Sequence, residues 1–577
     1  MKKLFPYIKP HFWAMFSGVL FKGAGAITDL LIPLLMGVLI DEGIGRGDQS
    51  RILTLCLCML ALTLLTAGLN ITSNYVSAHA SQKVGEKIRN ALYEKIQALP
   101  LYEVDRLTTS SLITRVTNDV EHVQRTLLMM TRFMIRAPIM AIGGVALSLL
   151  IDPLLTLIVF AGMLLLGAAS ISVYKVTRPI YRRVQKSIDR LTTILRENLA
   201  GIRVIKSFHK TDYETDRFDE QSREVKRHEL KAGMFNAYMS PSIAFISSLT
   251  TAAVLYAGGY RVHHGGIAIG QIVTILNYVN MILMAMTMIP RMFMIFSRAN
   301  TSAGRINEVL DIQNATRYGT EEDPLCEEPF LEFRSVSFCY PGTTAHALRN
   351  LSFTIRKGET MAVIGGTGSG KSTLLYLILR LYEPTDGKIL LEGRPIGEYS
   401  KEALLRKVTA AMQQYHIFGM SVQDNIMLDM ELDEERLRQS AAAAQLSELV
   451  EQLDGGYEYD VAQAGSNLSG GQKQRLSIAR TLYRTADLVV LDDVSSALDY
   501  RTDLKLRSAL RHSFGDKAVI LISQRIASVQ YADKILVLQK GQSVGCAPHD
   551  ELIVHSKAYR AICESQGVAL PEGGEPA

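Results

Sequence analysis

Long apolar stretches separated by polar, basic segments fill the first half of the chain. Six of them approach or exceed the roughly 20 residues that a helix needs to cross a bilayer. They cover residues 13–40, 53–76, 137–151, 154–173, 239–260 and 272–295. The third is short and becomes a span only if it extends back past Arg132 and Arg136. The pattern predicts six transmembrane helices within residues 1–300.

The basic residues are unevenly shared between the segments that join these stretches. The segments after the second and fourth stretches are long and rich in Lys and Arg, whereas the others are short with few basic residues. By the positive-inside rule, both termini and the long segments are cytoplasmic. The long segments exceed a simple connection, so we expect the membrane helices to continue into the cytoplasm. Buried helices in a large soluble domain would not explain this asymmetry.

The charged, mixed sequence of the second half of the chain indicates a separate α/β domain. A chain of 577 residues is too long for one hydrophobic core. We divide it into a transmembrane domain at 1–300, a linker at 301–330, a second domain at 331–566 and a disordered tail at 567–577, which is rich in Gly, Pro and Glu. No small-residue cleavage site follows the first apolar stretch, so we interpret it as a retained membrane helix.

Charge and cysteine content exclude some classes of function. The net charge of +5 is small for this length and gives no reason to expect a nucleic-acid partner. The six cysteines are scattered without a paired spacing, which argues against a zinc site or a disulfide framework.

A glycine-rich segment in the second domain matches the phosphate-binding loop pattern G-x-x-x-x-G-K-[ST]. It follows the apolar strand-like residues 361–364 and precedes the helix-like residues 374–379. Glycines let backbone N–H groups approach phosphates, the lysine reaches the β and γ phosphates, and the serine can ligate Mg²⁺. The predicted ATP-binding residues are Gly365, Gly366, Thr367, Gly368, Ser369, Gly370, Lys371, Ser372 and Thr373.

Two further segments complement this loop. Asp492 ends the apolar stretch 488–491, and a strand-terminal carboxylate is the usual Mg²⁺ partner of a phosphate-binding loop. The second segment consists of Leu468, Ser469, Gly470, Gly471 and Gln472 at the start of a helix-like stretch. A Ser- and Gly-rich helix N-terminus suits an anion such as a γ-phosphate. A plain helix cap is the alternative.

The segment 468–472 closely resembles the signature of ATP-binding-cassette (ABC) proteins, and the resemblance covers nearly the whole chain. Tyr340 resembles the aromatic residue that stacks on adenine, Gln413 the Q-loop glutamine, and Ser496 to Asp499 the D-loop. Segments 111–119 and 198–206 resemble cytoplasmic segments of ABC exporters. The implied fold class is an α-helical membrane domain, with six transmembrane helices and long cytoplasmic extensions, plus an α/β P-loop NTPase domain of the ABC type.

The resemblance also implies a dimer. In the family, two cassettes enclose two ATP molecules, each held by one chain's P-loop and the other chain's signature, so residues 468–472 and Asp499 would complete the partner's site. The implied cofactors are ATP and Mg²⁺, with Ser372, Gln413 and Asp492 as metal ligands. Segments near 101–106 and 209–217 would couple the cassettes to the membrane helices.

Three positions depart from the family pattern. Asp493 stands where a catalytic glutamate is usual, Gln524 replaces the switch histidine, and Gln463 replaces a glutamate that often precedes the signature. The shorter Asp493 carboxylate and the uncharged Gln524 predict a site that binds ATP and hydrolyses it slowly. Because the signature is intact, the sequence favours a heterodimer whose partner supplies the glutamate and histidine. A working homodimer that tolerates the substitutions is the alternative.

The complete architecture favours an exporter of hydrophobic small molecules, lipids or peptides in the cell membrane. A regulatory or channel-like subunit remains open, because the two catalytic departures suit it too. An ABC protein of the soluble type and an importer fit poorly with six spans fused to a cassette. Lys22 and Asp29, within the first span, should face inward because charge is costly in lipid. They would bind substrate or pair with each other.

Overall fold

The computed structural model describes residues 2–313, 318–322, 325, 328–494 and 498–568. Parts of the predicted linker, Ser496 of the predicted D-loop and the predicted tail from position 569 onward lie outside the described residues. The chain divides into two compact units. One unit comprises Met1–Gln97 and Thr109–Ile312, and the other comprises Ala98–Thr108 and Gln313–Ala577.

The first unit is helical wherever the structure describes regular elements. Its helices are α1 (Phe5–Ile8), α2 (Phe12–Val38), α3 (Gln49–Gln97), α5 (Thr109–Thr114), α6 (Val120–Phe133), α7 (Arg136–Ile151), α8 (Pro153–Ala200), α9 (Ile202–Ser207), α10 (Thr211–His263) and α11 (Ile269–Leu310). The intervening helix α4 (Leu101–Leu107) belongs to the second unit.

Five of the six apolar stretches lie within single helices of this set, and the first, residues 13–40, covers most of α2 and the start of the π-helical segment Leu39–Ile44. Among the described residues, five helical segments are long and apolar enough to cross a membrane: Phe5–Ile44, Gln49–Gln97, Thr109–Ile151, Pro241–His263 and Ile269–Met286. The fourth predicted stretch contributes a shorter apolar segment, Pro153–Ala169, at the start of α8. Helices α3, α8 and α10 contain 49, 48 and 53 residues, or about 70–80 Å at 1.5 Å per residue. They are more than twice as long as the ~30 Å hydrocarbon core.

Helices α2 and α11 approach each other closely near one end of the unit. The backbone N–H of Gly270 donates to Asp41 Oδ1 at 2.7 Å, and Thr274 Oγ1 donates to the carbonyl of Pro33 at 2.9 Å. A Cβ atom at position 270 would overlap the carbonyl oxygen of Gly37 and lie 2.7 Å from Asp41 Oδ2. Glycine is therefore required at position 270 for this contact.

A buried ion-pair network ties the end of α11 to residues 115–119. Asp119 is fully buried and pairs with Arg305. Arg115, also buried, donates to the carbonyl of Arg305 at 2.8 Å and pairs with Glu308 at 2.8 Å. Removing one partner would leave a buried charge unpaired, so the network holds the two segments in register.

The second unit contains two β-sheets. The strands are β1 (Leu331–Cys339), β2 (His346–Ile355), β3 (Thr360–Ile364), β4 (Asp386–Leu391), β5 (Arg394–Pro395), β6 (Val408–Ala411), β7 (Leu488–Asp492), β8 (Ala518–Ser523), β9 (Lys534–Gln539) and β10 (Gln542–Ala547). The antiparallel sheet has the order β2-β1-β4-β5, and the larger sheet has the order β10-β9-β3-β8-β7-β6, with all neighbours parallel except β10 and β9.

The helices of this unit are α12 (Lys371–Ile378), α13 (Lys401–Lys407), α14 (Val422–Met427), α15 (Glu434–Ala443), α16 (Ser447–Gln452), α17 (Gly470–Tyr483), α18 (Tyr500–Ser513), α19 (Ile526–Val529), α20 (His549–His555) and α21 (Lys557–Ser565). Helices α12, α17, α19 and α21 contact strands of the larger sheet, as expected for parallel strands that are apolar along their length, whereas α14 and α15 pack on α17. Strands β3, β8 and β7 are adjacent and parallel, so the segments that follow them emerge at one edge of the sheet.

Helix α4 packs on this second unit although its sequence lies between two membrane helices. Leu101 and Tyr102 contact the apolar core of the unit. The hydroxyl of Tyr382 donates to Asp105 Oδ2 at 3.0 Å. Burial and this hydrogen bond raise the pKa of Tyr382, so its phenol remains a donor at neutral pH.

The close approach of α2 and α11 gives a first prediction. In the Gly270→Ala variant the added methyl group overlaps the α2 backbone, and overpacking of this kind costs about 1–3 kcal/mol. We expect a lower melting temperature of the full-length protein in detergent, measured by far-ultraviolet circular dichroism.

Gly68→Ala is the matched control, because a Cβ atom there meets nothing within 4 Å. Alanine also favours the helix by about 1 kcal/mol over glycine, so this variant should melt at the same temperature or higher. Equal melting temperatures for the two variants would contradict the close contact.

Candidate functional site

The phosphate-binding loop connects β3 to α12. Gly368 and Gly370 have φ values of +76° and +102°, a region that residues with a Cβ rarely enter. A Cβ atom at position 370 would also lie 2.7 Å from the carbonyl oxygen of Ala347. Glycine at these two positions therefore lets the loop turn without a steric clash.

Lys371, at the start of α12, folds back over this loop. Its Nζ donates to the carbonyls of Gly365 and Gly366 at 2.8 and 2.9 Å. Burial lowers the pKa of Lys371, while Asp492 and Asp493 oppose the decrease. The ammonium group therefore lies at the centre of the loop with two carboxylates nearby.

The end of β7 supplies the first of these carboxylates. Ser372 Oγ donates to Asp492 Oδ2 at 3.2 Å, which brings together two of the three groups predicted to hold Mg²⁺. Burial raises the pKa of Asp492 to about 6, with Asp493 adding to the rise and Ser372 and Lys371 opposing it. Hydroxyl and carboxylate oxygens are the ligands that Mg²⁺ prefers, so the donor set fits this ion.

Asp493, the next residue, leaves the strand in a left-handed conformation with φ +50°. Its N–H donates to the carbonyl of Ile522 on β8 at 2.8 Å, which fixes the turn. Its Oδ2 accepts from Gln413 Nε2 at 3.3 Å. Burial raises the pKa of Asp493, and Arg525, Lys371 and Gln413 oppose the rise. The structure thus brings Gln413, Asp492 and Asp493 together beside the loop.

Gln524 follows β8 directly, and Ser523 at the end of β8 pairs with Ile364 at the end of β3. The side chain of Gln524 is exposed at this edge. Its carbonyl accepts from Gln566 Nε2 at 2.7 Å, while Gln566 Oε1 accepts from the N–H of Ile526 at 2.8 Å. The backbone on both sides of Arg525 is therefore held by one residue near the end of the chain.

Tyr340 follows β1 and lies in an aromatic group. Its hydroxyl shares a hydrogen bond with Thr373 Oγ1 at 2.9 Å. Its ring makes edge-to-face contacts with Phe338 and Tyr382, at centroid distances of 4.9 and 5.4 Å. These contacts hold the ring beside the helix that follows the phosphate-binding loop.

The predicted signature forms the N-terminus of α17. Ser469 Oγ accepts from the N–H of Gln472 at 3.3 Å, and Gln472 Oε1 accepts from the N–H of Ser469 at 2.7 Å. This reciprocal capping box fixes the first turn. Leu468 is buried beneath it, while Ser469 and Gly470 are exposed. The exposed helix start remains accessible to an anion on another molecule.

Asp499 is the N-cap residue of α18. Its carboxylate accepts from the N–H and the hydroxyl of Thr502, at 2.9 and 2.8 Å. These hydrogen bonds lower the pKa of Asp499. Ser496, which the resemblance also assigned to the D-loop, lies outside the described residues.

Sequence reasoning missed three residues that shape the site. Gln474 of α17 donates to the carbonyl of Asp493 at 3.4 Å, and Gln566 braces the segment around Gln524. Tyr382 contacts both Tyr340 and Asp105. None of these residues belongs to a recognisable short motif, because each acts through a contact distant in sequence. Only Gln474 carried a signal, since it lies two residues beyond the signature.

Comparison with known proteins identifies the relatives of this chain. The family described as ABC transporter transmembrane region matches residues 15–286, and the family described as ABC transporter matches residues 348–496. The uncharacterised ABC transporter ATP-binding protein YfiB of Bacillus subtilis is 35% identical over 570 residues, covering 98% of both chains. The ATP-dependent lipid A-core flippase of Haemophilus ducreyi is 29% identical over 569 residues, covering 98% of this chain and 97% of the flippase.

A solved structure shows the same fold. A bacterial Atm1-family ABC exporter with ATP bound superposes with a TM-score of 0.78 at 20% identity, covering 98% of this chain and 99% of that one. The predicted fold class, a helical membrane domain plus a P-loop cassette, is thereby confirmed.

The raised pKa of Asp492 predicts a pH dependence of nucleotide binding. A proton and a divalent cation compete for the carboxylate. As the pH falls through about 6, the ionised fraction of Asp492 decreases. We expect the affinity for a fluorescent Mg²⁺–ATP analogue to fall about tenfold per pH unit well below that pKa.

The Asp492→Asn variant is the control for this titration. It should bind Mg²⁺–ATP more weakly at neutral pH and show a shallower pH dependence. The titration of the nucleotide's own phosphates is common to both proteins and cancels in the comparison. Parallel curves for the two proteins would exclude Asp492 as the titrating group.

Proposed function

Because this chain belongs to the ABC transporters that join a transmembrane region to an ATP-binding cassette, we propose that it is one subunit of a heterodimeric exporter whose own ATP site binds nucleotide but hydrolyses it slowly. The family establishes an ATP-dependent exporter. Beyond this, we propose the heterodimeric partner, the slow ATP hydrolysis at this chain's own site, and the class of compound that is transported.

The observation that carries the slow site is the position of Asp493. Its carboxylate is one methylene shorter than the usual glutamate, and it is turned towards Gln413 by a 3.3 Å hydrogen bond. A carboxylate that polarises an attacking water must be placed closely, and a displacement of about 1 Å can cost roughly a hundredfold in rate. Gln524 is exposed at the same edge. Its amide can hydrogen-bond a phosphate but cannot carry a positive charge or relay a proton.

ATP binding itself needs none of the replaced groups. We assign the phosphates to the N–H groups of residues 365–373 and to Lys371, and the adenine to Tyr340. Mg²⁺ would be held by Ser372, Gln413 and Asp492, where it would neutralise phosphate charge. Two of these proposed ligands already contact each other, which supports the assignment.

The intact signature supports a heterodimer. Ser469 and Gly470 are exposed at the start of α17, and a helix N-terminus is a favourable place for a phosphate group. In a dimer this surface would complete the partner's site. We therefore expect the partner to provide a glutamate and a histidine at positions equivalent to Asp493 and Gln524, and to carry an altered signature.

The proposed cargo is a hydrophobic or amphipathic compound such as a lipid, a drug or a hydrophobic peptide. Support comes from the relative named as a lipid A-core flippase, which aligns over nearly the whole chain. The proposed location is the inner or plasma membrane, with both termini and the cassette in the cytoplasm, because Lys and Arg are concentrated in the long segments. A regulatory or channel-like subunit and a homodimeric exporter are the competing roles.

Restoring the family residues provides the test. In the purified full-length chain, Asp493→Glu combined with Gln524→His should raise ATP turnover by about 10- to 100-fold. The physical reason is that the glutamate regains the reach to a water and the histidine regains a chargeable group. Phosphate release is the measurement.

Asp487→Glu is the matched control, because it makes the same substitution at the opposite end of β7 and should leave turnover unchanged. Lys371→Ala in the double variant should abolish the gain. Brisk turnover by the unmodified chain alone, with no gain in the double variant, would instead support a homodimeric exporter.

A further inference from the structure

Two charged residues in the first membrane span have different partners. Lys22 is 6% exposed, and its Nζ donates to Asn70 Oδ1 on α3 at 2.8 Å. Asp29 pairs with Arg136 at the start of α7, at 2.8 Å. The interpretation that Lys22 and Asp29 pair with each other is therefore wrong. Each is instead part of a cluster that joins three helices.

Positive charge exceeds negative charge in this cluster. Arg136, which contacts Asp29, and Arg132 lie near Lys22, and among the described residues Asp29 is the one carboxylate whose charge acts on Lys22. Arg132 Nε is buried, and no hydrogen-bond partner for it lies among the described residues. Three cations therefore share one carboxylate, which leaves a net charge of about +2 in a region where buried charge is expensive.

Close helix packing builds the cluster. A Cβ atom at Gly23 would lie 3.5 Å from Ile139 Cδ1, and one at Gly25 would lie 3.4 Å from Asn70 Oδ1. Helix α2 thus lies within van der Waals distance of both α3 and α7, with little room between them. The side chains of Lys22 and Arg136 are held by their contacts with Asn70 and Asp29.

The cluster lies at membrane depth. At 1.5 Å per residue, Lys22 is about 28 Å and Asp29 about 18 Å along α2 from Asp41, and Arg136 is about 24 Å along α7 from Asp152. All three distances fall within the ~30 Å of a hydrocarbon core. They place the cluster in the half of the bilayer away from the short loops that contain Asp41 and Asp152.

The cluster is also accessible from outside the unit and bordered by apolar side chains. The side chain of Arg136 is 41% exposed. Met134, between the two arginines, is 47% exposed, and Ile27 on α2 is 55% exposed. An anionic group could reach the cations while an attached hydrocarbon chain stays on the apolar surface.

We propose that Lys22, Arg132 and Arg136 bind the anionic headgroup of an amphiphile taken from one membrane leaflet. The guanidinium groups suit a phosphate or carboxylate because they present paired N–H donors in one plane. Asp29 orients Arg136 and limits the charge of the site. The inference rests on the proposed function only for the direction of transport, since binding itself needs no ATP turnover.

The test uses two fluorescent lipids with identical acyl chains, phosphatidylglycerol and phosphatidylcholine, titrated onto the full-length protein in neutral detergent. The wild-type protein should bind the anionic lipid about tenfold more tightly than the zwitterionic one, as one additional charge-assisted contact would produce. Arg132→Gln and Lys22→Gln should remove most of this preference and leave the affinity for phosphatidylcholine unchanged.

Two further variants separate binding from folding. Asp29→Asn should increase the preference for phosphatidylglycerol a few-fold, because it removes the one competing carboxylate. Arg125→Gln is the matched control: it lies on the same helix as Arg132, its side chain is 68% exposed, and it pairs with Glu121. It should leave the preference intact.

Several outcomes would overturn the inference. These are equal affinity of the wild-type protein for both lipids, equal effects of Arg132→Gln and Arg125→Gln, or displacement of phosphatidylglycerol by millimolar inorganic phosphate alone.

Transport assays in proteoliposomes that also contain the partner subunit distinguish failure of the lipid site from failure of the proposed function. ATP-driven movement of phosphatidylcholine without any anionic preference would refute only the site, whereas anionic preference without ATP-driven movement of either lipid would refute only the exporter role.

Discussion

The parallel pairing of β3, β8 and β7 is the constraint on which the nucleotide site depends. Gly365, Asp493 and Gln524 are far apart in sequence, but each follows the carboxyl end of one of these adjacent strands. Parallel hydrogen bonding brings those ends to one edge of the sheet. The hydrogen bond from the N–H of Asp493 to the carbonyl of Ile522 extends the pairing by one residue, so the backbone of the residue that departs from the family pattern is fixed by the sheet.

The site was predictable where its chemistry is local. The phosphate-binding loop, the strand-terminal Asp492 and the capped start of α17 each lie within a short segment whose residue types fix the backbone. The contacts of Gln413 with Asp493 and of Gln566 with the backbone of Gln524 were not predictable, because they join segments brought together only by the sheet. The same limit applies to Asp29, whose partner Arg136 lies on another helix.

The fold was predictable to a similar degree. Apolar length located the membrane helices, since a bilayer demands about 20 apolar residues whatever the tertiary packing. It did not locate their ends: α11 continues to Leu310, because the polar sequence beyond the membrane is still helix-forming and is held by the network around Asp119. The glycine contact between α2 and α11 was also hidden, since a glycine's neighbours cannot be read from its position.

Helix α4 has a consequence for how the protein is made. Residues 98–108 belong to the cassette unit, yet a ribosome synthesises them some two hundred residues before the cassette begins. Until the cassette emerges, Leu101, Tyr102 and Asp105 lack the surface on which they finally pack. A cassette expressed from residue 313 onward would therefore lack residues 98–108, which form part of its own unit. Residues 98–108 therefore reach their packed position only after the second unit has been synthesised.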